Sequence, residues 1–195
     1  MSILYLGLDP SRYPRKVFHY PVIETVFYEN LDVSKASLAT HFLFTSRSAV
    51  HYWTYSIGAP VLAIGKATEA ALKERGIKPI LAPEATQEGM IALLETMEIG
   101  FLFWPRSALA RSILEEYLTK RGVPFFALDL YTTRVRKKGE LPNLHDFDEI
   151  VFTSPSTVDA FIEIFGALPR DKKLTAIGPI TEAKLFTWLK IYVEG

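Results

Sequence analysis

An α/β protein of two similar lobes, each with a parallel sheet and the two joined by a pair of antiparallel linker strands, is the fold this sequence predicts. Three observations carry the prediction. Short apolar runs ending in turn residues alternate with helical patterns, as parallel α/β units require. The chain also repeats itself. Phe44-Thr45-Ser46-Arg47-Ser48-Ala49-Val50 returns as Phe152-Thr153-Ser154-Pro155-Ser156-Thr157-Val158. Ala63-Ile64-Gly65-Lys66-Ala67-Thr68-Glu69-Ala70-Ala71-Leu72 returns as Ala176-Ile177-Gly178-Pro179-Ile180-Thr181-Glu182-Ala183-Lys184-Leu185. Five of seven and seven of ten positions match, in the same order, at offsets of 108 and 113 residues. A domain-sized unit is therefore duplicated, since solenoid repeats run about 20–50 residues. Finally, residues 22–28 and 128–135 are rich in β-branched and aromatic side chains and break the alternation.

Taken in order, buried strands are expected at 3–8, 42–44, 61–64, 79–82, 101–104, 125–128, 149–152 and 174–177. Helices are expected at 48–56, 68–75, 87–97, 108–121, 157–165 and 181–190. The clearest is 108–121, where Ile113, Leu114, Tyr117 and Leu118 recur at helical spacing and Gly122 supplies a C′ stop. Residues of about 22–28 and 128–135 read as paired linker strands that carry the chain out of one lobe and back. The middle lobe is then continuous over 31–129, and the other is discontinuous, built from 1–22 plus 136–195. Without this nesting, strand 3–8 has no sheet to join; two sequential domains with an ordinary linker are the alternative.

A chain of 195 residues fits one large domain or two small ones, and 49% hydrophobic content with 13% aromatics supplies real cores. Lys plus Arg and Asp plus Glu number 22 each, so no global field marks a nucleic-acid or membrane-surface binder. Cysteine is absent, which excludes thiol catalysis, disulfides and Cys-ligated metals and is compatible with a reducing, cytoplasmic setting. No apolar run approaches the roughly 20 residues of a membrane span. The start, Met1-Ser2-Ile3-Leu4-Tyr5-Leu6-Gly7-Leu8-Asp9-Pro10, reads as a first strand rather than a signal peptide.

The chemistry-bearing candidates sit at strand ends. Thr45-Ser46 and Thr153-Ser154 fall between strand and helix, where parallel α/β units bind ligands. A hydroxyl there caps the helix, and the first-turn N–H groups can hold an anion. Capping alone would explain either copy taken singly, but both copies keep Thr-Ser where Asp or Asn would cap as well. Gly65 and Gly178 end strands where the backbone turns tightly or approaches a ligand, and Thr68 and Thr181 follow at helix starts. Gly65-Lys66 is not a phosphate loop, because Pro60 and Ala67 stand where that motif needs Gly and Ser or Thr. There is no dinucleotide fingerprint. His19, His41, His51 and His145 show no metal-ligand spacing, and Glu84 and Glu88 suit a helix's first turn. Three basic clusters, Arg12/Arg15/Lys16, Arg134/Arg136/Lys137/Lys138 and Arg170/Lys172/Lys173, read as solvated faces that could also attract a polyanion. Tyr131, in the second linker segment, offers a phenol that stays protonated near neutral pH and can donate a proton or hydrogen bond.

Together these residues resemble uroporphyrinogen-III synthase. The motifs run Phe-Thr-Ser-x-x-Ala-Val at 44–50, Gly-x-x-Thr at 65–68, Ala-Pro-Glu-Ala-Thr-x-Glu-Gly-Met at 82–90 and Pro-Arg-x-x-x-Ala-Arg at 105–111. They continue with Tyr-x-Thr at 131–133, Phe-Thr-Ser-Pro-Ser at 152–156 and Ala-Ile-Gly-Pro-x-Thr at 176–181. The resemblance implies flavodoxin-like lobes with the site in the cleft between them. It implies a hydro-lyase that closes hydroxymethylbilane, a linear tetrapyrrole with eight carboxylates, to uroporphyrinogen III while inverting the last ring. It implies no metal or organic cofactor. Tyr131 matches the family's tyrosine, which assists departure of the terminal hydroxyl. Thr45, Ser46, Gly65, Thr68, Arg106, Ser154, Ser156, Gly178 and Thr181 are the expected substrate-binding positions. Also implied is a cytoplasmic monomer in tetrapyrrole and heme biosynthesis, with hydroxymethylbilane synthase as a transient protein contact and neither nucleic acid nor membrane as partner. Two departures stand out. Leu8-Asp9-Pro10 replaces the family's Arg-Pro, with residues 9–21 too Pro-rich for the helix that follows it, and the counterpart of 82–90 in the second copy is missing or much altered. The discontinuous lobe therefore reads as trimmed. A non-catalytic ligand-binding module of the same fold, and a two-lobed receptor of the periplasmic type, are the rival readings.

Overall fold

The computed structural model describes residues 2–136 and 139–191. The chain divides into two compact units, one formed by Met1–Glu24 with Thr133–Gly195 and the other by Thr25–Thr132. In chain order the strands are β1 (Ile3–Tyr5), β2 (Phe18–His19), β3 (Ile23–Phe27), β4 (His41–Phe44), β5 (Val61–Ala63), β6 (Ile80–Leu81), β7 (Leu102–Ser107), β8 (Phe125–Val135), β9 (Glu149–Phe152) and β10 (Lys173–Ala176). The helices are α1 (Arg47–Tyr52), α2 (Lys66–Glu74), α3 (Gln87–Leu94), α4 (Ile113–Arg121), α5 (Pro155–Phe165) and α6 (Pro179–Ile191).

In the Thr25–Thr132 unit the sheet order is β3-β8-β7-β4-β5-β6. Strands β8, β7, β4, β5 and β6 run parallel. Alternation along each strand feeds two separate cores. Phe42, Phe44, Val61, Ala63 and Phe103 point to the face covered by Ala49 and Val50 of α1 and Leu72 of α2. Leu43, Leu62, Leu102 and Trp104 point to the opposite face, under Met90 and Leu94 of α3 and Leu114 and Leu118 of α4. Burial on both faces is why these strands read as unbroken apolar runs. Three large rings, Phe42, Trp53 and Phe103, meet within 5.8 Å of one another in the first core.

The expected strand 125–128 and the expected linker strand 128–135 are one strand of 11 residues. Nothing between them is Gly or Pro, so nothing stops the extended backbone. Its first half pairs with β7 in parallel, and its second half meets β3. The bonds Tyr28 N–H to Leu130 C=O and Arg136 N–H to Val22 C=O show the antiparallel sense, since one index falls as the other rises. A register shift between Arg106 and Ser107 makes Ser107 face Tyr131 and leaves Leu130 as the extra residue of a bulge. The same pairing extends β7 to Ser107, and the Ala108 N–H goes to the Tyr131 carbonyl at 2.8 Å. That takes up the residues expected to open the helix at 108, so α4 begins at Ile113. It stops as expected at Gly122, in the left-handed conformation at φ 68°.

The other unit has sheet order β10-β9-β1-β2, all parallel. Leu4, Leu6, Ile150 and Phe152 face Val158 and Phe161 of α5 and Leu185 of α6. The other face, carrying Ile3, Tyr5 and Val151, is covered among the described residues by Tyr13 and Val17. On this face residues 9–17 form turns and coil rather than a helix. Strand β2, only two residues between prolines, had no periodicity by which to be expected.

An ion pair pins this coil. Glu149, with a fully buried side chain, lies on the Val151 face. Its carboxylate accepts two hydrogen bonds from Arg15, both at 2.8 Å, and a third from Thr175 at 2.6 Å, with Lys173 at 3.4 Å. The Arg15 bonds foremost, opposed by burial and aided by Thr175 and Lys173, hold the Glu149 carboxyl at about 2. Its folded value lies below its ordinary one of 4.5, so the stabilisation is complete above about pH 4.5 and is lost as pH falls toward 2. Glu149→Gln should cost on the order of 1–3 kcal/mol at pH 7, because the charge-assisted hydrogen bonds from Arg15 to the buried carboxylate are lost while Arg15 itself stays solvated. Urea unfolding of both proteins checks this: the gap between them should narrow steadily from pH 5 to pH 2.5.

Candidate functional site

In an open parallel sheet, connections leave on opposite faces where strand order reverses, and a crevice opens at the carboxyl ends of the two strands there. In the Thr25–Thr132 unit the reversal lies between β4 and β7. Thr45 and Ser46 directly follow β4, and Arg106 and Ser107 end β7. The indole N–H of Trp104, on β7, donates across the reversal to Thr45 Oγ1 at 3.1 Å. Ser46 caps α1, its Oγ accepting from the Ala49 N–H at 3.0 Å. The same Oγ lies 2.8 Å from the phenol oxygen of Tyr131. Tyr131 is 5% exposed and packs against Tyr52, with ring centroids 5.5 Å apart. The Tyr52 hydroxyl is in turn 2.6 Å from Thr25 Oγ1. The structure thus brings two sequence candidates, Ser46 and Tyr131, into direct contact.

The remaining candidates of this unit are placed differently. Gly65 caps α2 with extended backbone, so its handedness does not call for glycine. Space does: a Cβ would sit 2.8 Å from that of Ala85. Thr68, in the first turn of α2, is buried. Arg106 is engaged by two carboxylates, its Nε donating to Asp129 at 2.9 Å and its Nη1 to Glu115 at 2.6 Å. Its guanidinium also lies 4.8 Å from the centre of the Trp104 ring. Thr86 caps α3, and Arg111 forks onto Glu88 at 2.8 and 2.9 Å, which holds the Glu88 carboxyl at about 2.

In the other unit the reversal lies between β1 and β9. Gly7, beyond β1, is so close to Thr153 that an added Cβ would lie 2.5 Å from its side chain. Ser154 caps α5 within a reciprocal capping box. Thr157 Oγ1 accepts from the Thr153 and Ser154 N–H groups at 3.1 and 3.2 Å and donates to the Ser154 carbonyl at 2.6 Å. Ser156 is half-buried in the first turn of α5. Gly178 has φ 90°, a conformation that side chains strain to adopt, unlike its repeat partner Gly65. Thr181, like Thr68, is buried near its helix start.

Thr157, Tyr52 and Thr25 were not anticipated from sequence. The signal for Thr157 was present: at its place in the first copy stands Ala49, which has no hydroxyl. Among the described residues, no group of three or more His, Asp or Glu stands together as metal ligands, and no helix is long and apolar enough to cross a membrane. Of the basic clusters, Arg15 is spent on Glu149 and Arg134 on Glu24, while Lys137 and Lys138 lie outside the described residues.

Two α/β units linked by antiparallel strands, with hydroxyl turns at both reversals, define a two-lobed protein of flavodoxin-like units. The chain belongs to the family described as Uroporphyrinogen-III synthase HemD, whose model matches residues 11–194. The family is one of heme-biosynthesis enzymes and implies a small-molecule substrate. Among solved structures, the chain is similar to uroporphyrinogen-III synthetase from Helicobacter pylori, with 20% identity and a TM-score of 0.65 over 95% of this chain and 88% of that one. It is similar also to a mutant uroporphyrinogen III synthase from the extremely thermophilic bacterium Thermus thermophilus, with 20% identity and a TM-score of 0.61 over 96% and 88%. At this identity the likeness shows the fold. No curated protein matches the chain by sequence.

The capping box gives a direct test. Thr157→Ala copies the first repeat's Ala49 at the equivalent position, so it fits sterically, and it removes the acceptor for two backbone N–H groups. Calorimetry should show a loss of about 1–2 kcal/mol. An unchanged melting temperature would mean that these groups are satisfied elsewhere.

Proposed function

We infer that the protein is a uroporphyrinogen-III synthase: a hydro-lyase that closes hydroxymethylbilane to uroporphyrinogen III, inverting the last pyrrole ring and releasing water. It acts in the cytoplasm as a monomer. The observation that carries this reading is the Tyr131 phenol held 2.8 Å from Ser46 beside the β4–β7 reversal, in a chain of this family.

The substrate's terminal carbinol sits beside a pyrrole nitrogen that pushes out its hydroxyl, so a strong acid is not needed. Tyr131 donates the proton that completes the leaving water. The first ring is left as an azafulvene electrophile. The last ring attacks through its substituted α-carbon, giving a spiro intermediate that reopens and recloses inverted. The harder requirement is to hold a flexible polyanion with the less accessible carbon facing the electrophile. In the turns after β4, β5, β9 and β10, the hydroxyls and backbone N–H groups not engaged by Tyr131 or Thr157 suit that requirement, because they would anchor carboxylates locally on a chain of zero net charge. Arg106, already shared by Asp129 and Glu115, serves by fixing the β7 end and offers its remaining donor edge.

The assay is hydroxymethylbilane plus protein, then oxidation and separation of porphyrin isomers. Spontaneous closure gives isomer I, so isomer III reports the enzyme. Tyr131→Phe should slow turnover roughly 10–10⁴-fold, reaching into the range of about 10²–10⁴ that a general acid typically contributes, with isomer III still the product. Wild-type turnover in this variant would remove Tyr131 from the mechanism, and isomer I alone from the unaltered protein would remove the function.

A further inference from the structure

We propose that Ser46 is a positioning residue for Tyr131, supplying the hydrogen bond that steadies the phenol before proton transfer and the phenolate after it. The proposal rests on the functional reading of Tyr131 above and concerns how that residue is made competent.

Protons and lone pairs decide the roles. A serine hydroxyl has one proton and two lone pairs. In Ser46 one lone pair accepts the Ala49 N–H at 3.0 Å, and the remaining contact is the Tyr131 oxygen at 2.8 Å. Two hydroxyls in one hydrogen bond carry two protons, of which one lies between them. When Ser46 donates, the phenol's own proton is left available to another acceptor. After that proton departs, Ser46 still donates to the phenolate, and a hydrogen bond to a charged oxygen is roughly twice as strong as a neutral one. The contact therefore strengthens as charge develops, which is what lowers a barrier.

Three further features hold this geometry. The Leu130 bulge sets Tyr131 opposite Ser107 rather than one position later. Tyr52, tied to Thr25, packs on the ring. The repeat itself shows the alternative. In the second copy Thr157 locks Ser154 into a capping box, whereas the first copy's Ala49 offers Ser46 no such partner. One copy of the turn is closed on itself, and the other is turned toward the phenol.

The step balances. The carbinol C–O bond breaks with its electron pair leaving on oxygen, and the pyrrole nitrogen lone pair fills the carbon. The Tyr131 proton completes water. The proton later lost from the last ring's other, unsubstituted α-carbon, where the inverted ring recloses, restores the phenol, and Ser46 keeps its own proton throughout.

The test is a double-mutant cycle of Ser46→Ala and Tyr131→Phe, read as turnover to isomer III and as melting temperature. Ser46→Ala should slow turnover at least tenfold, within the range of acid catalysis. In the Tyr131→Phe background it should slow turnover by less than about twofold, because the residue it acts through is gone. Two variants separate this from capping. Ser46→Gly weakens a helix cap only slightly and has no proton to give, so it should melt close to the unaltered protein and be as slow as Ser46→Ala. Ser46→Thr keeps both and should recover turnover to within a few-fold. Equal slowing in both backgrounds, or a Ser46→Gly protein at full rate, would overturn the proposal while leaving the functional reading intact. Isomer I alone from the unaltered protein would overturn both.

Discussion

An open parallel sheet has one place where successive strands are laid down on opposite sides of a starting strand, and the rest of this structure is arranged around that constraint. The helices that follow the two central strands must leave on different faces, so the carboxyl ends between them stay uncovered by either connection. In the Thr25–Thr132 unit that place lies between β4 and β7, and in the other unit between β1 and β9. The duplicated Phe-Thr-Ser segment supplies one of the two strands at each. Cores of Phe42, Trp53 and Phe103, or of Ile150, Phe152 and Phe161, hold the strands rigid beneath the turns. The hydroxyls therefore stand on the most fixed part of each unit rather than on mobile loops.

Duplication gives both units the same turn, and a few substitutions give the turns different work. Thr157 folds its hydroxyl back onto the backbone of Thr153 and Ser154, which stiffens α5 but uses the donors nearby. Ala49 leaves Ser46 able to meet Tyr131. Similarly, Gly65 is needed for the close packing of Ala85, whereas Gly178 is needed for a positive φ. A shared motif thus hides two physical reasons for one residue type. In the other unit residues 9–17 run as coil over the outer sheet face, and the bond from exposed Arg15 to buried Glu149 adds a directed ionic contact to the packing of Tyr13 and Val17 there.

The architecture was legible where local pattern decides it. Strands such as Phe42-Leu43-Phe44 announce themselves because a sheet covered on both faces buries every residue. The helices were legible too, with boundaries shifted where a tertiary bond intervened, as at Ala108. What stayed hidden depends on distant partners. Arg106 is visible as a candidate, but Asp129 and Glu115 reach it only in the folded chain. The Ser46–Tyr131 bond joins residues 85 apart in sequence, and the Trp104–Thr45 bond joins residues 59 apart. A two-residue strand such as β2 carries no periodicity at all, and the bulge at Leu130 has no glycine to mark it.

The central claim is that a polycarboxylate tetrapyrrole is held at the carboxyl ends of the parallel strands in each unit. Backbone amide NMR during titration with uroporphyrin III, the stable oxidised form of the proposed product, tests it directly. The account places the largest shifts at residues 45–49, 65–68, 153–157 and 178–181, Pro155 and Pro179 having no amide, because the carboxylates would lie against these turns. Shifts confined to the opposite ends of the sheets, at residues such as 54, 75 and 100, or absent from both repeats of the hydroxyl turn, would contradict it.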